Sequence, residues 1–102
     1  MPLFAIIGRD GPRGAALRPT HRPAHLAGLE PLDDAGRLVY AGPLVGEAGD
    51  PVGSVILLEA ESLEAARAVA ARDPYVTEGV FESHEVFGTK RVFPREPGSG
   101  DR

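Results

Sequence analysis

The residues best suited to chemistry are a histidine and an aspartate that lie far apart in the chain. His25 belongs to the segment Arg-Pro-Thr-His-Arg-Pro-Ala-His-Leu, and Asp73 belongs to Arg-Asp-Pro-Tyr. Histidine takes up and releases protons near neutral pH, and an aspartate bonded to one ring nitrogen would fix its tautomer and favour the imidazolium. The two residues therefore predict general acid/base catalysis, provided that the fold brings them together. Without that contact, His25 is a surface or packing histidine and Asp73 only ends a helix.

Short apolar runs bounded by glycine and proline predict four strands, and spaced leucines and alanines predict two helices. The predicted strands cover residues 3–8, 37–45, 52–60 and 80–87, with a short extension over 89–93; the helices begin at Thr20 and at residue 61. The order is β-α-β-β-α-β. Two β-α-β halves of this kind predict an α+β, ferredoxin-like fold, in which a four-stranded antiparallel sheet carries both helices on one face.

The predicted helices place the two candidate residues near helix ends. Residues 9–19 are predicted to be a loop, so Thr20 would cap the first helix and His25 would lie just inside its start, where the helix dipole disfavours a charged imidazole. Pro31 predicts a kink or an early end of this helix. Ser62 is the predicted cap of the second helix, which Asp73 and the proline after it would stop.

Composition predicts one domain over residues 1–93 and a disordered tail over 94–102, which is rich in glycine, proline and charge. The net charge of −4 without a basic stripe argues against nucleic acid as a partner. The chain has no cysteine, and its apolar runs are too short to span a bilayer, so we expect a cytoplasmic protein.

The first and third strands are apolar on both sides. Two helices cover only one face of the sheet, so we expect a homodimer packed sheet to sheet.

Several polar residues could bind a small ligand. Arg18 and Arg22 suit a carboxylate, a phenolate or a phosphate, although both could equally be ordinary surface charges. Gly42 and Pro43 interrupt a strand and are predicted to shape a pocket wall. The remaining candidates are Ser54 as a hydrogen-bonding residue, Tyr75 as a pocket or core residue, and Asp10 as a reserve carboxylate.

The other histidines carry weaker predictions. His21 precedes His25 by one helical turn, which is a metal-ligand spacing, but no third ligand accompanies the pair, and we expect neither metal nor cofactor. His84 alternates with Glu82 in the last strand and is predicted to face solvent or an interface.

The ordered motifs of the chain resemble the YciI-like (YCII-related) family of the dimeric α+β barrel superfamily. The segments that carry the resemblance are Arg18-x-x-x-Arg-x-x-His-Leu, Gly36-Arg-Leu, Ala41-Gly-Pro, Gly53-Ser, Glu61-Ser-Leu-Glu-Ala-Ala, Asp73-Pro-Tyr-Val and Gly79-Val. The resemblance implies a ferredoxin-like fold, a dimer, and a pocket in which a histidine faces an aspartate, here His25 and Asp73. Pro31 and the short loop 46–52 depart from the family pattern, and the short loop implies a more open pocket mouth.

Related branches of this family imply proton-transfer or elimination chemistry on small hydroxylated rings. We therefore predict a lyase- or isomerase-type enzyme acting on a small hydroxylated or aromatic anion. The alternative is a non-catalytic module that binds a small ligand or regulates, in which substitution of His25 loses no turnover. Haem or cofactor-free oxygenase chemistry is a third hypothesis, based on fold analogy alone. A coloured purified protein would favour haem.

Overall fold

The computed structural model describes residues 1–95, which form a four-stranded sheet with helices on one face. The elements are β1 Leu3–Asp10, α1 Gly14–Asp34, β2 Leu38–Val45, β3 Pro51–Glu59, α2 Leu63–Arg72, α3 Pro74–Thr77 and β4 Phe81–Thr89. Within the described range, no helix is both long enough and apolar enough to cross a membrane. The predicted disordered tail lies outside the described residues from residue 96 onward.

The sheet has the strand order β2-β3-β1-β4, and every neighbouring pair is antiparallel. The two central strands, β1 and β3, are therefore the first strand of each β-α-β half. This topology confirms the predicted α+β, ferredoxin-like fold. The helices that cross between strands all lie on the same side of the sheet, because side chains from α1 and α2 pack on one apolar cluster with β1 and β3.

Strict alternation along β1 and β3 builds the core. Phe4 and Ile6 on β1 are paired with Leu58 and Ile56 on β3, and all four are buried beneath the helices together with alanines of α2. Side chains that point to the opposite face, such as Ile7 and Leu57, are only half-buried in a single chain. The apolar run of β3, which predicted burial on both faces, thus has one buried face and one partly exposed face.

The course of α1 differs from the prediction at both ends. The helix begins at Gly14 rather than at Thr20, and it continues past Pro31 to Asp34. Three prolines lie inside it, and all three are exposed, so water can hydrogen-bond to the carbonyls that lose a helical N–H donor. The helix ends at Asp34, and Gly36, with a φ of +73° and an N–H bond to the Asp33 carbonyl, provides the left-handed residue that follows its C-terminus.

Two glycines of this region allow a matched test of the helix. Nothing lies within 4 Å of a Cβ added at Gly28, so Gly28→Ala is expected to raise the free energy of unfolding by about 0.5–1 kcal/mol. Gly36→Ala places a side chain at positive φ and is expected to lower it by about 1 kcal/mol. Urea denaturation measures both values. Equal changes in the two variants would contradict the helix end described above.

The second helix begins at Leu63, with Ser62 as its cap as predicted, and a third helix follows it. Ser62 caps α2 by accepting a hydrogen bond from the N–H of Ala65 at 3.1 Å. Asp73 does end α2, but it also caps the short helix α3, for which Pro74 supplies the first residue. Helix α3 was not predicted, because Asp-Pro was interpreted only as the end of α2. The predicted extension of the last strand over 89–93 is also wrong, since β4 ends at Thr89.

Candidate functional site

His25 lies in the middle of α1, on the side that faces the sheet. It is followed at helical spacing by Leu29 and Leu32, which pack on the core, so the stripe that buries these leucines also buries the imidazole. The side chain of His25 is about 10% exposed. The prediction that His25 lies just inside a helix start is therefore wrong, and His25 lies outside the terminal turns in which a helix dipole acts.

Asp73 holds the imidazole through a single oxygen. Oδ1 lies 2.7 Å from His25 Nδ1, and the same Oδ1 accepts the backbone N–H of Tyr75 at 2.9 Å. The capping bond fixes the carboxylate in place, because it ties Asp73 to the first turn of α3. An ionised carboxylate can only accept, so His25 Nδ1 must be the donor. The second ring nitrogen, Nε2, is left to act on a ligand.

Tyr75 packs flat against His25. The two ring centroids are 3.9 Å apart and the ring planes differ by 1°, while Phe81 meets Tyr75 edge-on with a centroid distance of 5.6 Å. Tyr75 is only 2% exposed. The buried ring of Tyr75 thus fixes the plane of the imidazole, and the carboxylate of Asp73 fixes its rotation within that plane. The imidazole therefore has one orientation.

Burial raises the pKa of the Tyr75 phenol, and the positive charges of Arg18 and Arg22 oppose this shift. Tyr40→Phe leaves Tyr75 as the single tyrosine, so its ionisation can be followed by absorbance. We expect a midpoint above the ordinary value of about 10, and a higher one still in a background that also carries Arg22→Gln. The folded state keeps this proton longer, so the free energy of unfolding should fall as pH rises above about 10. A midpoint below about 10 would contradict the buried, neutral phenol.

Arg18 is held by a network at the start of α1. Its Nε and Nη2 donate to the two oxygens of Asp10 at 2.7 and 2.8 Å, and Nη2 also donates to the carbonyl of Gly53 at 2.8 Å and to Ser54 Oγ at 3.3 Å. The pKa of Arg18 is raised, chiefly by the hydrogen bond to Asp10. Gly14 makes this possible, because an added Cβ there would lie 2.7 Å from Asp10 Oδ2.

A cavity of about 470 Å³ opens beside His25, between α1 and the β2–β3 half of the sheet. Its lining includes all the predicted binding residues, namely Arg18, Arg22, Gly42, Pro43, Ser54 and Tyr75. A second cavity of about 240 Å³ lies between α1 and α2 and is lined by Asp73 as well as His25. His25 lines both cavities, whereas Asp73 lines only the smaller one.

The comparisons with known proteins agree with this architecture. The model of the YCII-related domain matches residues 2–90, which is most of the chain. The chain belongs to the YCII-related domain family. Protein YciI of Escherichia coli is 44% identical over 97 residues, which cover 89% of this chain and 99% of the relative. The resemblance inferred from the motifs is therefore confirmed.

Two solved structures are similar to this member of the YCII-related family. The 5-chloro-2-hydroxyhydroquinone dehydrochlorinase TftG from Burkholderia phenoliruptrix AC1100, in complex with 2,5-dihydroxybenzoquinone, is 32% identical, with a TM-score of 0.77 over 86% of this chain and 93% of that chain. An antibiotic biosynthesis monooxygenase has a TM-score of 0.57 but only 14% identity, over 90% of this chain and 99% of that chain. The second likeness concerns the fold alone.

The other two histidines lie apart from this site. His21 is half-buried on α1, and His84 is exposed on β4, as was predicted for it. Among residues 1–95, no three histidine, aspartate or glutamate side chains come together in a way that could hold a metal ion. The metal-ligand spacing of His21 and His25 therefore has no further ligand in the described part of this YCII-related chain.

Two functional features of the site were missed from the sequence. Asp10, considered only as a reserve carboxylate, is the partner of Arg18. Phe81 supports Tyr75, and its ring occupies the space that a side chain at Gly8 would fill, since an added Cβ would lie 2.3 Å from it. A glycine inside a buried strand marks such a close approach, so Gly8 was the available indication.

Proposed function

We propose that this YCII-related protein is a small acid/base enzyme that takes a proton from a small hydroxylated ring and so promotes elimination or isomerisation. The observation that carries the proposal is the 2.7 Å contact between Asp73 Oδ1 and Nδ1 of His25, a residue that lines the larger cavity. The likeness to a dehydrochlorinase that is 32% identical supports the same reaction class here.

The chemistry follows from the order of the three groups. His25 Nε2 accepts a proton from a hydroxyl or a carbon of the substrate, and Asp73 stabilises the imidazolium that forms. The electron pair left behind forms a new double bond. In an elimination, the leaving group departs with its own bonding pair, and in an isomerisation the proton returns to a different atom of the ring. The imidazolium then gives up its proton to the leaving group, to water or to the ring, which restores the neutral base.

The remaining cavity residues serve binding in this proposal. Tyr75 stays a neutral phenol because its pKa is raised, so it supports the imidazole and does not compete as a base. Gly42 and Pro43, on the edge strand β2, form the wall opposite α1. Ser54 lies beside Arg18 and can hydrogen-bond a ring hydroxyl.

The test is chloride release from 5-chloro-2-hydroxyhydroquinone, followed by ion chromatography in the wild type, in His25→Gln and in His84→Gln. We expect His25→Gln to lower the rate by about 100-fold or more, because it removes the general base. His84 is exposed and lies on a different element, so its substitution should leave the rate unchanged. Equal rates in the wild type and His25→Gln would exclude His25 as the base. Binding of the ring without chloride release in the wild type would favour the non-catalytic binding module.

We propose further that the protein works as a homodimer packed sheet to sheet. The face of the sheet opposite the helices is apolar at its centre, and two of its large side chains, Tyr40 and Phe87, are 53% and 49% exposed. A second copy would cover this face by two-fold symmetry. Leu57→Glu, at the centre of the face, should give monomers in sedimentation, whereas an unchanged sedimentation coefficient would contradict the packing. A cytoplasmic location stays a prediction.

A further inference from the structure

The larger cavity is lined by two arginines, and one of them is already neutralised. Arg18 donates two parallel hydrogen bonds to Asp10, and the side chains of the pair are only 12% and 8% exposed. Its remaining described bonds go to a backbone carbonyl and to Ser54. A buried guanidinium whose charge is compensated in this way has little charge left for a ligand, because moving Asp10 away would expose an unpaired carboxylate.

Arg22 differs from Arg18 because no carboxylate neutralises it within residues 1–95. It is exposed, it lines the same cavity, and within residues 1–95 it takes part in no hydrogen bond or salt bridge. No aspartate or glutamate is among the described residues that line this cavity. The positive charge of Arg22 nevertheless acts on the site, since it favours the ionised form of Tyr75. The cavity therefore carries one uncompensated positive charge, at Arg22.

The helix fixes where this charge lies relative to the base. Arg22 and His25 are three residues apart on α1, and residues at this spacing lie on the same face with Cβ atoms about 5–6 Å apart. Arg22 and His25 therefore project from the same face of α1 into the same cavity. A small ring can contact both residues at once, with its charged substituent at one end and its reacting hydrogen at the other.

We propose that Arg22 selects a monoanionic substrate, a small ring whose ionised oxygen binds Arg22 while a hydroxyl or carbon of the same ring gives its proton to His25. The inference rests on the proposed acid/base function and names the substrate class for it. Arg18 is in this view a positioning residue, which ties the start of α1 to β1 and β3. Guanidinium suits a planar carboxylate or phenolate, since it presents paired N–H donors in one plane.

Two ligands of nearly equal shape test the proposal, 4-hydroxybenzoate, which is an anion at neutral pH, and 4-hydroxybenzamide, which is neutral. Calorimetric titration compares the wild type with Arg22→Gln, Arg22→Lys and Arg67→Gln. We expect the wild type to prefer the anion, and Arg22→Gln to weaken anion binding about tenfold or more without affecting the amide. Arg22→Lys keeps the charge and should lose less. Arg67 is exposed on α2, outside the cavity, so its substitution controls for net charge.

Three results would overturn the proposal: no preference of the wild type for the anion, equal losses in Arg22→Gln and Arg67→Gln, or equal losses for both ligands in Arg22→Gln. Because binding is measured without turnover, the outcome is independent of the chloride assay. A His25→Gln protein that keeps the anion preference but releases no chloride would support both proposals. A preference for the anion in a wild type that turns nothing over would leave Arg22 as the selecting residue of a binding module.

Discussion

Asp73→Asn is expected to lower turnover by about a thousandfold while the protein stays folded. Asparagine keeps an oxygen that can accept the Tyr75 N–H, and it is as good a helix cap as aspartate, so α3 should persist. What is lost is the negative charge that stabilises the imidazolium of His25. If the amide turned its NH₂ group toward Nδ1, the proton would move to Nε2, the nitrogen that must accept it from the substrate, but the bond to the Tyr75 N–H would be given up, since both bonds share Oδ1.

The measurement combines chloride release with nitrogen NMR of the imidazole, which reports the tautomer directly. Asp73→Ala is the matched control, because it removes both the charge and the cap; it should lose the same activity and in addition about 1 kcal/mol of stability. Activity of Asp73→Asn within a factor of about ten of the wild type would mean that the carboxylate contributes little beyond position.

The largest effect on stability is expected for Arg18→Met, about 3–5 kcal/mol, because it leaves the buried carboxylate of Asp10 without its partner. The Gly53 carbonyl and Ser54 lose a donor as well. The exposed pair Arg9–Glu85 offers a control close by, with its charged atoms 3.7 Å apart and side chains 62% and 52% exposed. Arg9→Gln should cost less than about 1 kcal/mol.

Urea denaturation measures both variants, and the double variant Asp10→Asn/Arg18→Met completes the comparison. Since the double variant has no orphaned charge, it should recover part of the loss seen in Arg18→Met. If Arg18→Met lowers the free energy of unfolding no more than Arg9→Gln does, Arg18 is not a structural residue. Arg18 would then be available to bind an anionic ligand.

The sequence was sufficient for the architecture because periodicity and turn residues act locally. The alternation in β1 and β3, the cap at Ser62 and the order of the elements were all readable without tertiary information. The start of α1 was not, because proline and glycine are poor helix formers on average. Here the prolines are exposed and the helix is held by burial of its other side, a tertiary effect that outweighs local propensity.

The site was predictable only in part for a related reason. His25 and Asp73 stood out by residue type and family resemblance, but Arg18 and Arg22 were indistinguishable by type. What separates them is the carboxylate of Asp10, which accepts two hydrogen bonds from Arg18. Because residues 9–19 were predicted to be a loop, neither the place of Asp10 at the end of β1 nor that of Arg18 in α1 was predicted, and their pairing could not be foreseen.

The parallel stacking of His25 on Tyr75 also gives the protein a spectroscopic label. Protons above the face of an aromatic ring are shielded by its ring current, and the imidazole lies 3.9 Å from the Tyr75 centroid with the planes aligned. The chain has only three histidines, and the other two are not recorded in such a stack within the described residues. The carbon-bound imidazole protons of His25 should therefore be displaced upfield of those of His21 and His84. Binding of a ligand in the cavity can then be followed by the chemical shifts of the His25 ring protons, in unmodified protein and at natural isotope abundance.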